Sequence, residues 1–132
     1  MDVYLTGEAF LTLAALRRLA AVKGTRGFLL GHRRGDRVYI ESVLPSPAPA
    51  WPDLKSFYDL DAGLDRGIFG FFLFGPSPSA RKALLQPFGT GKVLIEISGR
   101  RGKKPILSAS VIDYRDRFVF RKIALVVERP AR

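Results

Sequence analysis

An unbroken run of apolar and aromatic residues, Ile68 to Phe74, constrains the fold of this chain more than any other segment. A short run of this kind, bounded by glycine and proline, is typical of a strand that is buried on both faces of a sheet. The same side chains could instead line a ligand pocket, and the sequence leaves that alternative open. In either case we expect the other segments to provide neighbouring strands and the helices that pack on them.

The segments around this run follow the order helix, two strands, short helix, central strand, helix and three strands. We predict helices over 7–23, within 53–65 and over 80–86, and strands over 28–31, 37–44, 68–74, 92–98, 106–114 and 118–128. Closely spaced prolines make 45–52 an internal loop of one domain that spans residues 1–132. The predicted class is α+β, with a mixed, mostly antiparallel sheet, an N-terminal helix and one or two short helices.

The content of cysteine and histidine limits the chemistry that the chain can perform. There is no Cys and only one His, His32. Disulfides, thiolate nucleophiles and metal sites that need several histidines are therefore excluded. We predict no metal and no cofactor.

The balance of charge favours anionic partners. The chain has 22 Lys and Arg against 12 Asp and Glu, a net charge of +10, which attracts polyanions without sequence-specific contacts. The longest apolar run is about half the roughly 20 residues that a membrane helix needs. Because Asp2 opens the N-terminus and Arg17 and Arg18 interrupt its apolar stretch, it does not resemble a signal peptide. We expect a cytoplasmic protein with no membrane partner.

Three short motifs are better interpreted as ordinary structure than as functional sites. The segment Gly89–Lys92 lacks the other residues of a phosphate-binding loop, since Gln86 and Val93 stand where Gly and Ser or Thr are needed. The tripeptide Arg34-Gly35-Asp36 suits a hairpin turn within a predicted connection over 32–36. We interpret His32 as a solvated loop histidine, because no acid–base partner lies near it in sequence.

Several segments are similar to those of the JAMM/MPN domain, the zinc isopeptidase fold that is also called the JAB domain. The segment Gly27–Gly31 resembles the glycine-bounded strand after the first helix, and Arg37–Pro45 resembles the second strand, which commonly ends at proline. The segments Phe57–Asp61 and Gly70–Phe72 resemble those that lead to the metal motif. The resemblance covers nearly the whole chain, and it implies a JAB/MPN-like, cytidine-deaminase-like architecture.

The same resemblance implies that the zinc site is degenerate. Active members use a Glu general base, a His-x-His-Pro motif and a Ser-x-x-Asp motif to hold and activate a zinc-bound water. Carried over position by position, the Glu falls on Gly24, the two His on Leu73 and Gly75, and the Asp on Lys82, while Pro76 and Ser79 keep the family residue. A Lys ammonium repels a dication, so this set could not bind zinc.

The first functional hypothesis is therefore a catalytically inactive MPN-like domain that acts as a protein-binding or scaffold module, with homodimerisation as one form of it. Under this hypothesis the chain is a pseudoenzyme and has no catalytic activity. The second hypothesis is a basic protein that associates with nucleic acid through its turns. Its candidate residues are Arg33, Arg34, Arg37, Arg100, Arg101, Lys103 and Lys104.

A third hypothesis is an altered hydrolase built on Ser79 and Lys82. A Ser–Lys pair can carry out acyl transfer when the Lys is desolvated and neutral. Residues three apart on a helix share a face, so the spacing permits the pair. The alternative is that Ser79 is an N-cap and Lys82 a solvated surface residue.

Overall fold

A curled, mixed, eight-stranded sheet organises the computed structural model, which describes residues 1–19, 25–46, 50–64, 67–99 and 104–128. The strands are β1 (Asp2–Leu5), β2 (Arg26–Arg34), β3 (Arg37–Pro45), β4 (Gly67–Phe74), β5 (Val93–Ser98), β6 (Ile106–Tyr114), β7 (Phe118–Lys122) and β8 (Ala124–Val127). The helices are α1 (Gly7–Leu19), α2 (Leu54–Ala62) and α3 (Pro78–Lys82), and Pro87–Gly89 forms a single 3₁₀ turn. The predicted α+β class is confirmed.

The apolar run forms β4, and the prediction of a strand buried on both faces is confirmed. Strands β2 and β5 flank it, antiparallel and parallel respectively, in the sheet order β7-β6-β5-β4-β2-β3-β1-β8. Phe72 and Phe74 enter one hydrophobic core, whereas Phe71 and Leu73 enter another on the opposite face. The side chains of the run therefore fill cores, as the strand interpretation requires.

The first core lies on the inner face of the curled sheet, where α1 packs. Ala9 and Leu13 of α1 belong to this core together with the alternate residues Val93, Ile95 and Ile97 of β5. The helix begins as predicted, because Thr6 Oγ1 accepts a hydrogen bond from the Ala9 amide at 3.2 Å. The sequence of β5 alternates, which predicts Val93, Ile95 and Ile97 on one side and Leu94 and Glu96 on the other, and the alternation is confirmed because Leu94 belongs to the second core.

The second core is aromatic and lies beneath α2, α3 and the 3₁₀ turn. Phe57 of α2 packs on Phe88 with ring centroids 4.9 Å apart, and both meet Phe71. Trp51 covers the edge of this cluster and donates its indole N–H to the Ala80 carbonyl at 2.8 Å. Side chains of α2, the 3₁₀ turn and β4 therefore pack together in this cluster, and Trp51 links the cluster to α3.

The sheet curls because its two edge strands follow each other in the chain. Only Ile123 separates β7 from β8, yet β7 pairs with β6 at one edge and β8 pairs in parallel with β1 at the other. The Ile123 amide donates to the Ala109 carbonyl of β6 at 3.1 Å, and its side chain enters the first core. This connection brings the two edges of the sheet close to each other.

Several predicted elements differ from the structure. The prediction omitted β1, and it merged β7 and β8 into one strand. Strands β1 and β8 pair with each other but lie far apart in the sequence, so the pairing leaves no local signal. The connection 32–36 is shorter than predicted: Arg33 and Arg34 continue β2, and the turn is Gly35-Asp36, where Gly35 adopts a φ of 56°. The sequence places Leu54, Phe57 and Tyr58 on one apolar face of α2, but only Phe57 is buried. Leu54 and Tyr58 face solvent.

The N-cap prediction for Ser79 is wrong, because α3 begins at Pro78 and Ser77 occupies the cap position. The structure also ends this helix at Lys82 rather than near residue 86. Gly24, Arg100, Arg101 and Lys103 lie outside the described residues, as do 20–23 of the predicted first helix and 47–49 of the proline-rich loop. None of the helices within the described ranges has the length and apolarity that a bilayer crossing requires.

Candidate functional site

Two of the positions that the resemblance matches to a zinc site, Leu73 and Gly75, lie where β4 ends, beside the start of β2 and the end of β5. The Phe74 amide donates to the Thr25 carbonyl at 2.8 Å, and the Gly75 amide donates to the Ile97 carbonyl at 3.0 Å. These bonds bring the carboxyl ends of β4 and β5 to the residue that follows Gly24. Gly24 itself is outside the described residues.

The two positions that the resemblance matches to zinc-binding histidines have other structural roles. Leu73 is fully buried and its side chain belongs to the second core. A Cβ atom added at Gly75 would lie 3.1 Å from the Ser77 amide nitrogen, which is tighter than ordinary packing. Pro76 follows and is exposed. Position 73 is thus a core site, and position 75 favours the absence of a side chain.

Ser79 and Lys82 lie on α3, and both are exposed. Their solvation does not supply the desolvated, neutral Lys that an acyl-transfer pair needs. Arg81, between them, instead fixes the helix to the sheet: its Nε lies 3.0 Å from Glu96 Oε1, and its guanidinium lies 4.0 Å from the Phe120 ring centroid. Within the described ranges no group of three or more His, Cys, Asp or Glu side chains could hold a metal ion.

The four described residues of the predicted nucleic-acid site, Arg33, Arg34, Arg37 and Lys104, do not form one surface. Arg33, Arg34 and Arg37 flank the β2–β3 turn, at the end of the sheet where β3, β4 and β5 begin. Lys104 lies just before β6, opposite the carboxyl end of β5, and therefore at the other end of the sheet. The strand register therefore places the β2–β3 turn and Lys104 at opposite ends of the sheet.

His32 is not a loop residue, and this prediction is corrected. It lies in β2, where its Nδ1 is hydrogen-bonded to Glu41 Oε1 and its ring stacks on Tyr39 with centroids 5.1 Å apart. Glu41 reaches it from a bulge in β3, where the register shifts opposite Leu30 and Gly31. Any Cβ at Gly31 would collide with the Tyr39 carbonyl, so the bulge requires glycine there. Sequence reasoning missed this pair because the two residues meet only through the bulge.

Tyr39 is the centre of a row of side chains that crosses four strands. Register pairing aligns it with His32 on one side and with Tyr4 on the other, and Tyr4 is paired with Val126 of β8. The Tyr4 and Tyr39 ring centroids are 5.3 Å apart. We call the surface formed by His32, Tyr39, Tyr4 and Val126, together with Arg34 and Arg37 of the next row, the outer face.

Side chains on the outer face are held in place but are not covered. Arg37 Nη2 lies 3.0 Å from Asp2 Oδ2, and its guanidinium is 6.0 Å from the ring centroids of both Tyr4 and Tyr39. Hydrogen bonds to the Asp2 carboxylate and to Tyr39 raise the pKa of Arg37. The side chain of His32 is 44% exposed and Val126 is 40% exposed. The face is therefore preorganised and accessible to a ligand.

A second charged surface lies on the inner face, between the β2–β3 turn and the β6–β7 hairpin. The Met1 amine lies 2.8 Å from Asp36 Oδ2, and Arg121 and Arg115 lie 3.5 and 3.7 Å from Asp113 Oδ2. The Met1 amine, followed by the charges of Arg33 and Arg121, lowers the pKa of Asp36. We call the surface formed by Arg33, Arg115, Arg121 and the Met1 amine the basic rim.

Comparison with known proteins identifies a fold but no family. No protein-family model matches the chain, and a search of curated proteins finds no match. Among solved structures, it is similar to the solution structure of a protein from Desulfitobacterium hafniense, a structural genomics target. The two share 22% sequence identity with a TM-score of 0.65, over 96% of this chain and 94% of that chain. The similarity shows a common fold.

Proposed function

We propose that this protein is a metal-free, MPN-like domain that acts as a protein-binding module. The observation that carries the proposal is the burial of Leu73 at a position where the resembled enzymes have a zinc-binding histidine. Gly75 and Lys82, at two further ligand positions, supply no metal-binding atom from their side chains. Under this proposal the chain has the fold of the resembled enzymes and uses it to bind another protein.

The outer face is the surface that we assign to the protein partner. Tyrosine and arginine are over-represented among residues that dominate binding energy, and the outer face carries two of each. The rings of His32 and Tyr39 are stacked at an interplanar angle of 10°, so they cover each other and offer mainly their edges. This arrangement suits the side chains of a protein better than the stacking of nucleobases between open ring faces.

The charge of the chain defines the chemistry of this partner. Arg34 and Arg37 border the aromatic row, and the whole chain has a net charge of +10. The partner would therefore present an acidic surface, with carboxylates against the two arginines and apolar groups against Tyr4, Tyr39 and Val126. A second copy of this chain has the same positive charge and is the less favoured occupant.

Site-specific photo-cross-linking tests this proposal. A benzophenone amino acid replaces Tyr39 in one variant and Tyr58, an exposed tyrosine on α2, in a matched control. We expect one acidic protein to cross-link from position 39 but not from position 58, in samples treated with nuclease. A cross-linked product of twice the chain mass would instead identify a homodimer and overturn the assignment of a different partner.

Binding to the purified partner then provides a quantitative check. Tyr4→Ala and Tyr39→Ala should each weaken the affinity by about tenfold or more, as expected of residues at the centre of an interface. Tyr58→Ala should leave the affinity unchanged. If all three variants bind equally well, the outer face is not the docking surface.

The altered-hydrolase hypothesis has less support, because Ser79 and Lys82 are solvated. It predicts that Ser79→Ala abolishes hydrolysis of a broad library of esters and peptides. Under the binding-module proposal, neither the wild-type protein nor Ser79→Ala hydrolyses any member of that library.

A further inference from the structure

The basic rim is built from elements that are distant in sequence. Arg33 lies near the end of β2, Arg121 lies in β7, and Arg115 lies in the turn between β6 and β7. Register places Arg33 opposite Val38 and Arg121 opposite Val111, and both valines belong to the first core. Both arginines therefore extend from the inner face of the sheet, whereas the outer face lies on its opposite side.

Carboxylates hold this array without neutralising it. The Met1 amine lies 2.8 Å from Asp36 Oδ2, the charges of Arg33 and Arg121 further lower the pKa of Asp36, and Asp113 is shared by Arg115 and Arg121. Each acid thus serves more than one cation, so the rim keeps a net positive charge. The exposed fractions of the Arg115 and Arg121 side chains are 73% and 46%, so a ligand can reach both guanidinium groups.

The chemistry of the cations indicates which anion fits. The side-chain cations of the rim are all arginines, whose planar guanidinium groups can bind phosphate oxygens in a bidentate manner. Successive cations linked by shared carboxylates form an extended array rather than a single pocket. An array of this kind matches a ligand that presents phosphates at regular intervals.

We infer that the basic rim binds the phosphate backbone of a nucleic acid, independently of base sequence, on a surface separate from the proposed protein-binding face. This assignment revises the set of candidate residues. Arg121 and Arg115 enter it from the β6–β7 region, whereas Arg37 leaves it because its side chain lies on the other face of the sheet.

The dependence of affinity on salt provides the test. A fluorescein-labelled duplex of about 20 base pairs and its single strand are titrated with the protein at several salt concentrations, followed by fluorescence anisotropy. For duplex DNA, each neutralised phosphate contributes about −0.9 to the slope of log K against log salt, and about −0.7 for a single strand. The double variant Arg33→Gln/Arg121→Gln should therefore reduce the magnitude of the duplex slope by about two.

A matched variant separates the rim from the overall charge. Arg18→Gln/Lys55→Gln removes the same charge from exposed positions on α1 and α2, and should leave the slope unchanged. An equal reduction in both variants would mean that the net charge, not the basic rim, attracts the nucleic acid. Circular dichroism of each variant verifies that the fold is intact.

Competition distinguishes phosphate from carboxylate ligands. We expect unlabelled duplexes of unrelated sequence to displace the probe equally, and polyglutamate of the same charge to displace it poorly. Displacement by polyglutamate at similar concentrations would assign the basic rim to an acidic protein and overturn the inference. Because Tyr39 is on the other face of the sheet, the result does not depend on the cross-linking experiment.

Discussion

Position 73, which the sequence resemblance matches to a zinc ligand, is a fully buried leucine of the second core. Leu73→His would bury a polar ring among apolar side chains, and it should lower the free energy of unfolding by about 3 kcal/mol. Leu73→Met conserves volume and should cost less than about 1.5 kcal/mol. Urea denaturation of the two variants measures both values, and equal stability would contradict the core assignment.

Ser110 is the one described side chain with a buried polar atom that lacks a hydrogen-bond partner. Its residue is 7% exposed, between Leu94 of β5 and Lys122 of β7. An unsatisfied buried hydroxyl costs about 1–3 kcal/mol. Ser110→Ala should therefore raise the free energy of unfolding by about 1 kcal/mol, measured as a higher midpoint of thermal unfolding. A lower midpoint would show that Oγ makes a useful contact.

Sequence reasoning at this scale succeeded where the pattern is local. The alternation of Val93, Ile95 and Ile97 was predicted correctly, because side chains in a regular strand point to opposite faces in turn. It failed at His32, because the β3 bulge changes which residues face each other. A one-residue irregularity has no distinctive signature in a single sequence.

Among the helices, α2 owes its start to a charged cap. Asp53 Oδ1 accepts a hydrogen bond from the Ser56 amide at 2.8 Å, and this bond lowers the pKa of Asp53. A depressed pKa means that the cap stabilises α2 above the ordinary Asp pKa of about 3.9, and that this stabilisation is lost as the pH falls through the folded value. In NMR titrations, the Ser56 amide shift should change below that ordinary value. The variant Asp53→Ala should abolish the change.

Element boundaries were predictable where both ends have local signals. Strand β6 was predicted with the bounds Ile106–Tyr114 that the structure has, since turns flank it on both sides. Strand β1 was missed because its four residues alternate too briefly to form a pattern, and its partners begin at Arg37 and Ala124. Helix α3 was predicted to begin too late, because Ser79 resembles a cap but follows Pro78, which already begins the helix. It was also predicted to extend beyond Lys82, where the structure ends it.

The architecture of the whole molecule depends on β8, whose two faces offer a test of its register. Leu125 packs against the first core, whereas its neighbour Val126 lies on the outer face. Leu125→Asp should destabilise the fold by about 3 kcal/mol or more, because it places a charge against that core. Val126→Asp should change the free energy of unfolding by less than about 1 kcal/mol. Chemical denaturation compares them, and the reverse order would show that β8 is out of register.

The curled sheet could not be derived from the order of the elements. A mixed sheet was predicted correctly, but the turn of the chain at Ile123 from one edge to the other leaves no mark in composition or periodicity. The same limitation applies to the functional surfaces. Tyr4 and Tyr39, for example, become neighbours only when strands from distant parts of the chain take their places in the sheet.

The parallel pairing of β1 with β8 has a consequence for synthesis of the protein. Residues 2–5 are synthesised long before their second partner, residues 124–127. Glu128, which accepts a hydrogen bond from the Gly7 amide at the start of α1, follows directly after it. Contacts over such long sequence separations slow folding, because the chain must close a large loop before they form. The sheet can therefore close only after residues 124–127 have been synthesised, and until then β1 presents an open edge to other nascent chains.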